Sequence, residues 1–318
     1  MKTEEIIKGI LNGDHRSIAR AITIVENEPT EGQKIITSIF PRTGRAHIIG
    51  LTGSGGAGKS TLIEKIVREY RQQNRTVGVI AVDPTSPFTG GAFLGDRIRM
   101  QELSTDESVF IRSMASRNYP GGLARATKDA VKVLDAAGKD VILVETVGAG
   151  QSEIDVMRVA QTIVVVHAPG LGDEIQAIKA GLMEIADIFV VNKADRENAN
   201  KTVMDIQAIL QLSNVENPWK PSVLKTVALT GEGVPELVDK LKEHRNYLEQ
   251  NPGTKRALLK SIAEEELIES IKEKTAVLII EDLRNEGKLD DLLKRILKKE
   301  IDPASAAEEL LKEKLRKN

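Results

Sequence analysis

Residues 46–70 read AHIIGLTGSGGAGKSTLIEKIVREY, and few other local arrangements suit such a run than strand, glycine turn and helix. The apolar, β-branched start predicts a buried strand, and the amphipathic end predicts a helix. Between them lies G-x-x-x-x-G-K-[ST], filled by Gly53, Ser54, Gly55, Gly56, Ala57, Gly58, Lys59 and Ser60, with Thr61 following. Glycines at these places let backbone N–H groups curl around phosphate oxygens that side chains would block. Lys59 carries a mobile positive charge to the β and γ phosphates, Ser60 offers a hydroxyl to Mg²⁺, and the helix directs its positive end at the same oxygens. The run therefore predicts a nucleoside triphosphate site.

Six further short apolar runs follow: TVGVIAVD, VFIRSMA, VILVETV, TIVVVHA, IFVVNKA and VLKTVAL. Their Val and Ile residues are continuous rather than alternating, which predicts strands covered on both faces, as in a mostly parallel sheet. Helical stretches between them imply right-handed crossovers and a three-layer α/β core of the P-loop NTPase class. Before Arg45 the pattern is helical, with Asp14 placed to cap HRSIARAITIVENE. After His244 it becomes helical again, with boundaries at Gly287 and Pro303. The expected division is an N-terminal helical segment (1–44), a P-loop domain (45–244) and a C-terminal helical arm (245–318), the arm being either a packed appendage or a dimerisation element.

Bulk properties narrow the class. The 318 residues carry a formal charge of −2, which argues against a dominant nucleic-acid footprint. There is no cysteine, so disulfides, thiolate metal sites and cysteine nucleophiles are excluded. No signal peptide or bilayer-length apolar run is recognisable, and a cytoplasmic protein that engages no membrane is expected.

Acidic residues at strand ends suit a metal and a reacting water. Asp83 closes the second strand, where a carboxylate faces the ligand crevice and can hold a Mg²⁺-bound water or orient the attacking one. The following loop, rich in Pro, Thr, Ser and Gly, then offers Asp96 and Arg97, in the manner of a switch that orders around γ-phosphate and metal. Glu145 closes the strand VILVE, and Gly148 follows where a backbone N–H can sense the γ-phosphate. A carboxylate there is stabilised by the cation. Being one methylene longer than Asp, it favours contact through a metal-bound water or with the attacking water.

Base selection is written in Asn192-Lys193-Ala194-Asp195, an N-K-x-D sequence at another strand end. A carboxylate at Asp195 accepts hydrogen bonds from the guanine N1–H and 2-amino groups, and adenine has neither donor. A site built for such a partner rejects the analogue by ~10⁴-fold or more. Lys193 can lay its stem over the base, Asn192 can tie loops together, and a backbone N–H near Val227 and Ala228 can donate to guanine O6. GTP rather than ATP is the expected nucleotide.

Taken in order, GSGGAGKST, VDPTSPFTGGAFLGDRIRM, GGLARAT, ETVGAGQSE, NKADR and LKTVALTGEG resemble the MeaB/ArgK family of P-loop GTPases, and the likeness runs to IDPASAAEELL near the C-terminus. One departure is Gly55, where many members have Pro. The resemblance implies a G-protein chaperone that binds GTP or GDP with Mg²⁺, gates cofactor loading, and protects or reactivates an adenosylcobalamin-dependent acyl-CoA mutase of the methylmalonyl-CoA mutase type. It further implies Asp83 and Asp96 beside Mg²⁺ and the first switch, residues 145–153 as the second switch, and Asp173, Gln176 and Lys179 in a third segment that relays nucleotide state. A homodimer through the C-terminal helices and a low intrinsic GTPase rate are also implied. Arg97, Arg99 and Arg125 are candidates for an activating arginine. Two other functions compete: a nickel-delivery GTPase metallochaperone, which normally carries His- or Cys-rich tracts, and a transport-system ATPase or kinase, as in older ArgK naming.

Overall fold

The computed structural model describes residues 2–84, 103, 105–116, 122–146, 158–170, 185–212 and 218–316. Seven strands form one sheet: β1 (His47–Thr52), β2 (Val77–Pro84), β3 (Val109–Ser116), β4 (Val141–Glu145), β5 (Thr162–His167), β6 (Ile188–Asn192) and β7 (Ser222–Thr226). Every pairing is parallel, in the order β3-β2-β4-β1-β5-β6-β7. Each apolar run expected to be a strand is one. Four stop sooner than their apolar runs: β4 ends at Glu145, β5 at His167, β6 at Asn192 and β7 at Thr226. At β6 the cause is local, because Lys193 turns into the left-handed region with φ of 56°.

The sheet alternation explains the continuous Val and Ile. Ile49, Leu51, Leu143, Val164, Val166 and Val190 are buried with Leu62, Ile63, Ile66 and Val67 of α4 (Lys59–Gln72) and Leu237, Val238 and Leu241 of α7 (Val234–Gln250). The opposite face has two buried patches. Ile80, Val82, Ile142 and Val144 pack with α5 (Gly122–Ala136) and the N-terminal helices, α1 (Thr3–Leu11), α2 (His15–Asn27) and α3 (Pro29–Ile39). Val165, Phe189 and Val191 pack with Ile206 of α6 (Ala199–Leu212). Both faces are thus apolar along every central strand, which is what three layers demand.

The first helices are fixed by short-range chemistry. Asp14 caps α2 by accepting from the Ser17 N–H at 2.8 Å and its hydroxyl at 2.6 Å. Pro29 opens α3, where its missing N–H is no loss. Entry into β1 is held by Asp135 of α5, whose carboxylate accepts from three successive backbone N–H groups, those of Gly44, Arg45 and Ala46, at 2.5, 3.1 and 3.0 Å.

The chain forms two compact units, 1–258 and 259–318, with the division inside α8 (Pro252–Asn285). The second unit continues with α9 (Lys288–Leu297) after the left-handed Gly287, and α10 (Pro303–Arg316) after a cap in which Asp302 accepts from Ala304 and Ser305 N–H. Within it Leu283, Leu292 and Ala306 are buried, and Arg295 joins Glu309 through both terminal guanidinium nitrogens, Nη1 and Nη2, at 3.2 and 3.3 Å. Leu267, Ile271 and Leu278 of α8 stay exposed, at a helical spacing of four and seven. Among the described residues no helix is long and apolar enough to cross a membrane.

Candidate nucleotide site

β1 lies between β4 and β5, so the turn that follows it opens at the C-terminal edge of a parallel sheet, where ligands of such folds bind. Gly53 leaves the strand at φ 135°, and a Cβ there would strike the carbonyl of Val166 on β5. Gly58, at φ 93°, immediately precedes α4, and a Cβ on it would strike the Asn192 side chain. These two glycines are required by close approach as well as by dihedral angle. The first turn of α4 carries no acidic residue, so its N–H groups and dipole remain available to an anion.

Inside this turn the polar groups hold one another. Lys59 is buried, and its Nζ donates to the carbonyls of Gly53 at 2.5 Å and Ser54 at 3.0 Å. The Ser60 hydroxyl donates to Glu145 Oε1 at 2.7 Å. That bond follows from register: Glu145 pairs with Leu51 at the end of β1, and the Thr146 N–H donates to the Leu51 carbonyl at 3.1 Å. Glu145 is buried, so the strand-end acid predicted from sequence does face the phosphate turn. A serine hydroxyl and a carboxylate oxygen side by side are hard donors of the kind that suit Mg²⁺.

The base side is tied to the phosphate turn through Asn192. This residue is 1% exposed; its Nδ2 donates to the Ala57 carbonyl at 2.8 Å, while Oδ1 accepts from the Thr226 hydroxyl at 3.1 Å and the Ala228 N–H at 3.0 Å. Lys193 Nζ donates to the Gly56 carbonyl at 2.6 Å. Beside these residues opens a cavity of about 140 Å³, lined by Gly58, Thr61, Asn192, Lys193, Asp195, Arg196, Val227, Ala228 and Leu229. Asp195 is exposed at this opening, as a carboxylate awaiting a base should be.

Two refinements emerge. The Ala228 N–H is occupied by Asn192, so a donor to guanine O6 has to come from a neighbouring backbone group. Thr226, Arg196 and Leu229 were not singled out from sequence. Arg196 directly follows the N-K-x-D run, a cue that adjacency alone provides, whereas Thr226 acts only through a bond to a residue 34 positions earlier.

Other expected positions fall differently. The backbone of Asp83 lies near the C-terminal end of β2, paired with Ala115 of β3. Its side chain, together with Asp96, Arg97, Arg99, Gly148, Asp173, Gln176 and Lys179, lies outside the described residues. Arg125 lies in the first turns of α5, partly buried, with its Nε enclosed and without a hydrogen-bond partner among the described residues.

Comparison with known proteins agrees with this geometry. A Pyrococcus abyssi protein, itself named only as a candidate GTPase, is 52% identical over 313 residues, spanning 98% of this chain and 96% of its own. The GTPase ArgK of Escherichia coli is 35% identical over 279 residues, or 85% of this chain and 83% of its own. The crystal structure of LAO/AO transport system kinase superposes with a TM-score of 0.71 at 26% identity, covering 98% of this chain and 96% of that one. Residues 18–281 match the family described as Methylmalonyl Co-A mutase-associated GTPase MeaB. With a phosphate turn, a guanine-type base motif and Glu145 at the Ser60 hydroxyl, this chain is a P-loop GTPase that belongs to the MeaB family.

Proposed function

We propose that the protein hydrolyses GTP as a chaperone of an adenosylcobalamin-dependent acyl-CoA mutase of the methylmalonyl-CoA mutase type, gating cofactor loading and protecting or reactivating the enzyme. The observation that carries the reading is the Ser60–Glu145 hydrogen bond at 2.7 Å. It joins the phosphate turn to the first residue of ETVGAGQSE, so a change at the phosphates reaches that segment through one carboxylate.

In this reading Lys59 exchanges the carbonyls of Gly53 and Ser54 for β and γ phosphate oxygens, and carries positive charge to the phosphoryl group as it transfers. Asn192 and Lys193 keep the turn shaped from beneath, through Ala57 and Gly56. Asp195 holds the base. Ser60, Asp83, Asp96 and Glu145 would hold Mg²⁺; when bound, the ion neutralises phosphate charge. Glu145 then either fixes a metal-bound water or orients the nucleophile, and Gly148 reports the γ-phosphate. Asp173, Gln176 and Lys179 relay the nucleotide state to the mutase. The helical stretch from 245 serves as the dimerisation arm of a homodimer, a role supported by the exposed stripe Leu267, Ile271 and Leu278. The segments 1–44 and 45–244 act as its helical and GTPase parts, in the cytoplasm.

The test is GTP turnover by the full chain, alone and with an adenosylcobalamin-dependent methylmalonyl-CoA mutase, together with co-elution in the presence of a GTP analogue. Faster turnover and co-elution are expected. Glu145→Ala should lower turnover by ~10²-fold or more while the protein stays folded. A mutase that neither binds in any nucleotide state nor alters turnover would remove the chaperone assignment and leave only the GTPase.

A further inference from the structure

At the end of the sheet opposite the nucleotide, four polar side chains unused by the GTPase machinery meet in the interior. His47 opens β1, Thr162 opens β5, Asp187 immediately precedes β6, and His244 lies on α7. His47 Nε2 is 2.7 Å from Thr162 Oγ1, which is 2.8 Å from His244 Nδ1; His244 Nε2 is 3.4 Å from Asp187 Oδ1. Asp187 Oδ2 accepts from the Ile163 N–H at 2.8 Å. Thr162 is fully buried and the two histidines nearly so, whereas the Asp187 side chain keeps 20% of its surface in solvent.

The surroundings leave the chain of groups largely to itself. From the loop before β7, Trp219 covers His244 at 4.6 Å between ring centroids and donates its Nε1–H to the Asp187 carbonyl at 3.0 Å. From α7 come Tyr247, stacked on His244 at 6.2 Å, Lys240 over the Trp219 ring, and Arg245, whose charge acts on His47 but is paired with Glu249 at 3.2 Å. From the β1 side, the carbonyl of Arg45 accepts from Arg245 at 3.4 Å. From the residue before β5, Gln161 accepts from the Ile48 N–H at 3.4 Å. Tyr70 of α4 is a buried neutral phenol within reach of the Arg245 charge.

A hydroxyl has one proton, so Thr162 donates to one histidine and must accept from the other. With Asp187 ionised, His244 turns Nε2–H toward it and presents a bare Nδ1. That nitrogen accepts from Thr162, and Thr162 accepts from His47 Nε2–H. With Asp187 protonated, the carboxyl donates to a bare His244 Nε2, His244 donates from Nδ1 to Thr162, and Thr162 donates to a bare His47 Nε2. Both rings stay neutral in each case, and only Asp187 changes its proton count.

We propose that Asp187, His244, Thr162 and His47 form a one-proton relay that fastens α7 to the base of β1, β5 and β6, and that reverses direction throughout when Asp187 takes up a proton. Burial pushes the Asp187 carboxyl up to about 7 and holds His47 and His244 down at about 3 and about 4, so the acid changes state near neutrality while the rings remain uncharged. The order acid, imidazole, hydroxyl is that of a hydrolase triad, but Thr162 is sealed from any substrate. The arrangement is therefore a proton-set fastening rather than a catalytic centre.

The test is ¹⁵N NMR of the histidine rings in the full chain, on either side of the Asp187 midpoint near pH 7. His47 and His244 should both be Nε2–H tautomers above it and both Nδ1–H tautomers below it, switching at one common midpoint. Asp187→Asn presents an amide N–H to His244 and an oxygen to Ile163, so both rings should stay Nδ1–H on either side of pH 7. Thr162→Val should leave His244 switching and stop His47. Tautomers that do not change in the wild type, or rings that become imidazolium near pH 7 in place of switching, overturn the relay whether or not the variants fold.

Discussion

Replacing Asn192 with alanine tests the coupling of phosphate turn and base site at its narrowest point. Three hydrogen bonds disappear, to Ala57, Thr226 and Ala228, and all three partners are buried. A buried group left unpaired costs about 1–3 kcal/mol, so the upper bound is about 9 kcal/mol. The Thr226 hydroxyl can rotate, and the adjoining cavity admits water to Ala228, which brings the expected loss to about 3–5 kcal/mol. Such a change lowers the melting midpoint by at least about 6 °C in a domain of this size. Since the Ala57 carbonyl and the space against Gly58 belong to the phosphate turn, GDP affinity should also fall by about 10-fold or more. Thermal unfolding without nucleotide and calorimetric titration with GDP measure the two effects. Asn192→Asp sharpens the comparison: it retains both accepted bonds but sets a carboxylate oxygen against the Ala57 carbonyl, and should weaken GDP binding at least as much. A loss of under about 1 kcal/mol with unchanged GDP affinity would show that Asn192 does not brace the turn.

Two further outcomes are expected. Asp195→Asn should exchange guanine for xanthine preference, read from competition between GDP and XDP; retention of wild-type GDP affinity would overturn the base assignment. Acid should unfold the protein through its buried imidazoles: burial holds His47, His167 and His244 at about 3, 4 and 4 in the fold, against an unfolded value of 6.5. Their contribution is complete above that value and is lost as pH falls toward 4. Asp187, raised to about 7, opposes this over the same interval by keeping its proton in the fold. Two net protons remain, or about 2.7 kcal/mol per pH unit at the steepest, and a melting midpoint flat between neutral pH and pH about 5 would contradict it.

The core and the nucleotide site were legible from the chain because their signals are local. Continuous Val and Ile declare strands covered on both faces, and G-x-x-x-x-G-K-S and N-K-x-D each pack their chemistry into a few consecutive residues. Glu145 was legible as an acid at a strand end, yet its bond to Ser60 depends on strand register over 85 positions. The same limit hid Asp135, which holds Gly44 to Ala46 from about ninety positions away. The His47–Thr162–His244 contacts span 115 and 82 positions, and nothing in the local sequence around these residues marks them. Thr226 likewise looks like one more β-branched residue until Asn192 is seen beside it.

The internal bonds of the phosphate turn bear on nucleotide exchange. Lys59 leans on the carbonyls of Gly53 and Ser54, and Ser60 on Glu145, so departure of a nucleotide does not strand an ammonium or a hydroxyl in a dry pocket. The energetic difference between the loaded and the vacated turn is correspondingly reduced. Binding of a nucleotide at this turn is therefore an exchange of partners for Lys59 and Ser60, and each side chain adds less to affinity than its gross contact with phosphate or cation.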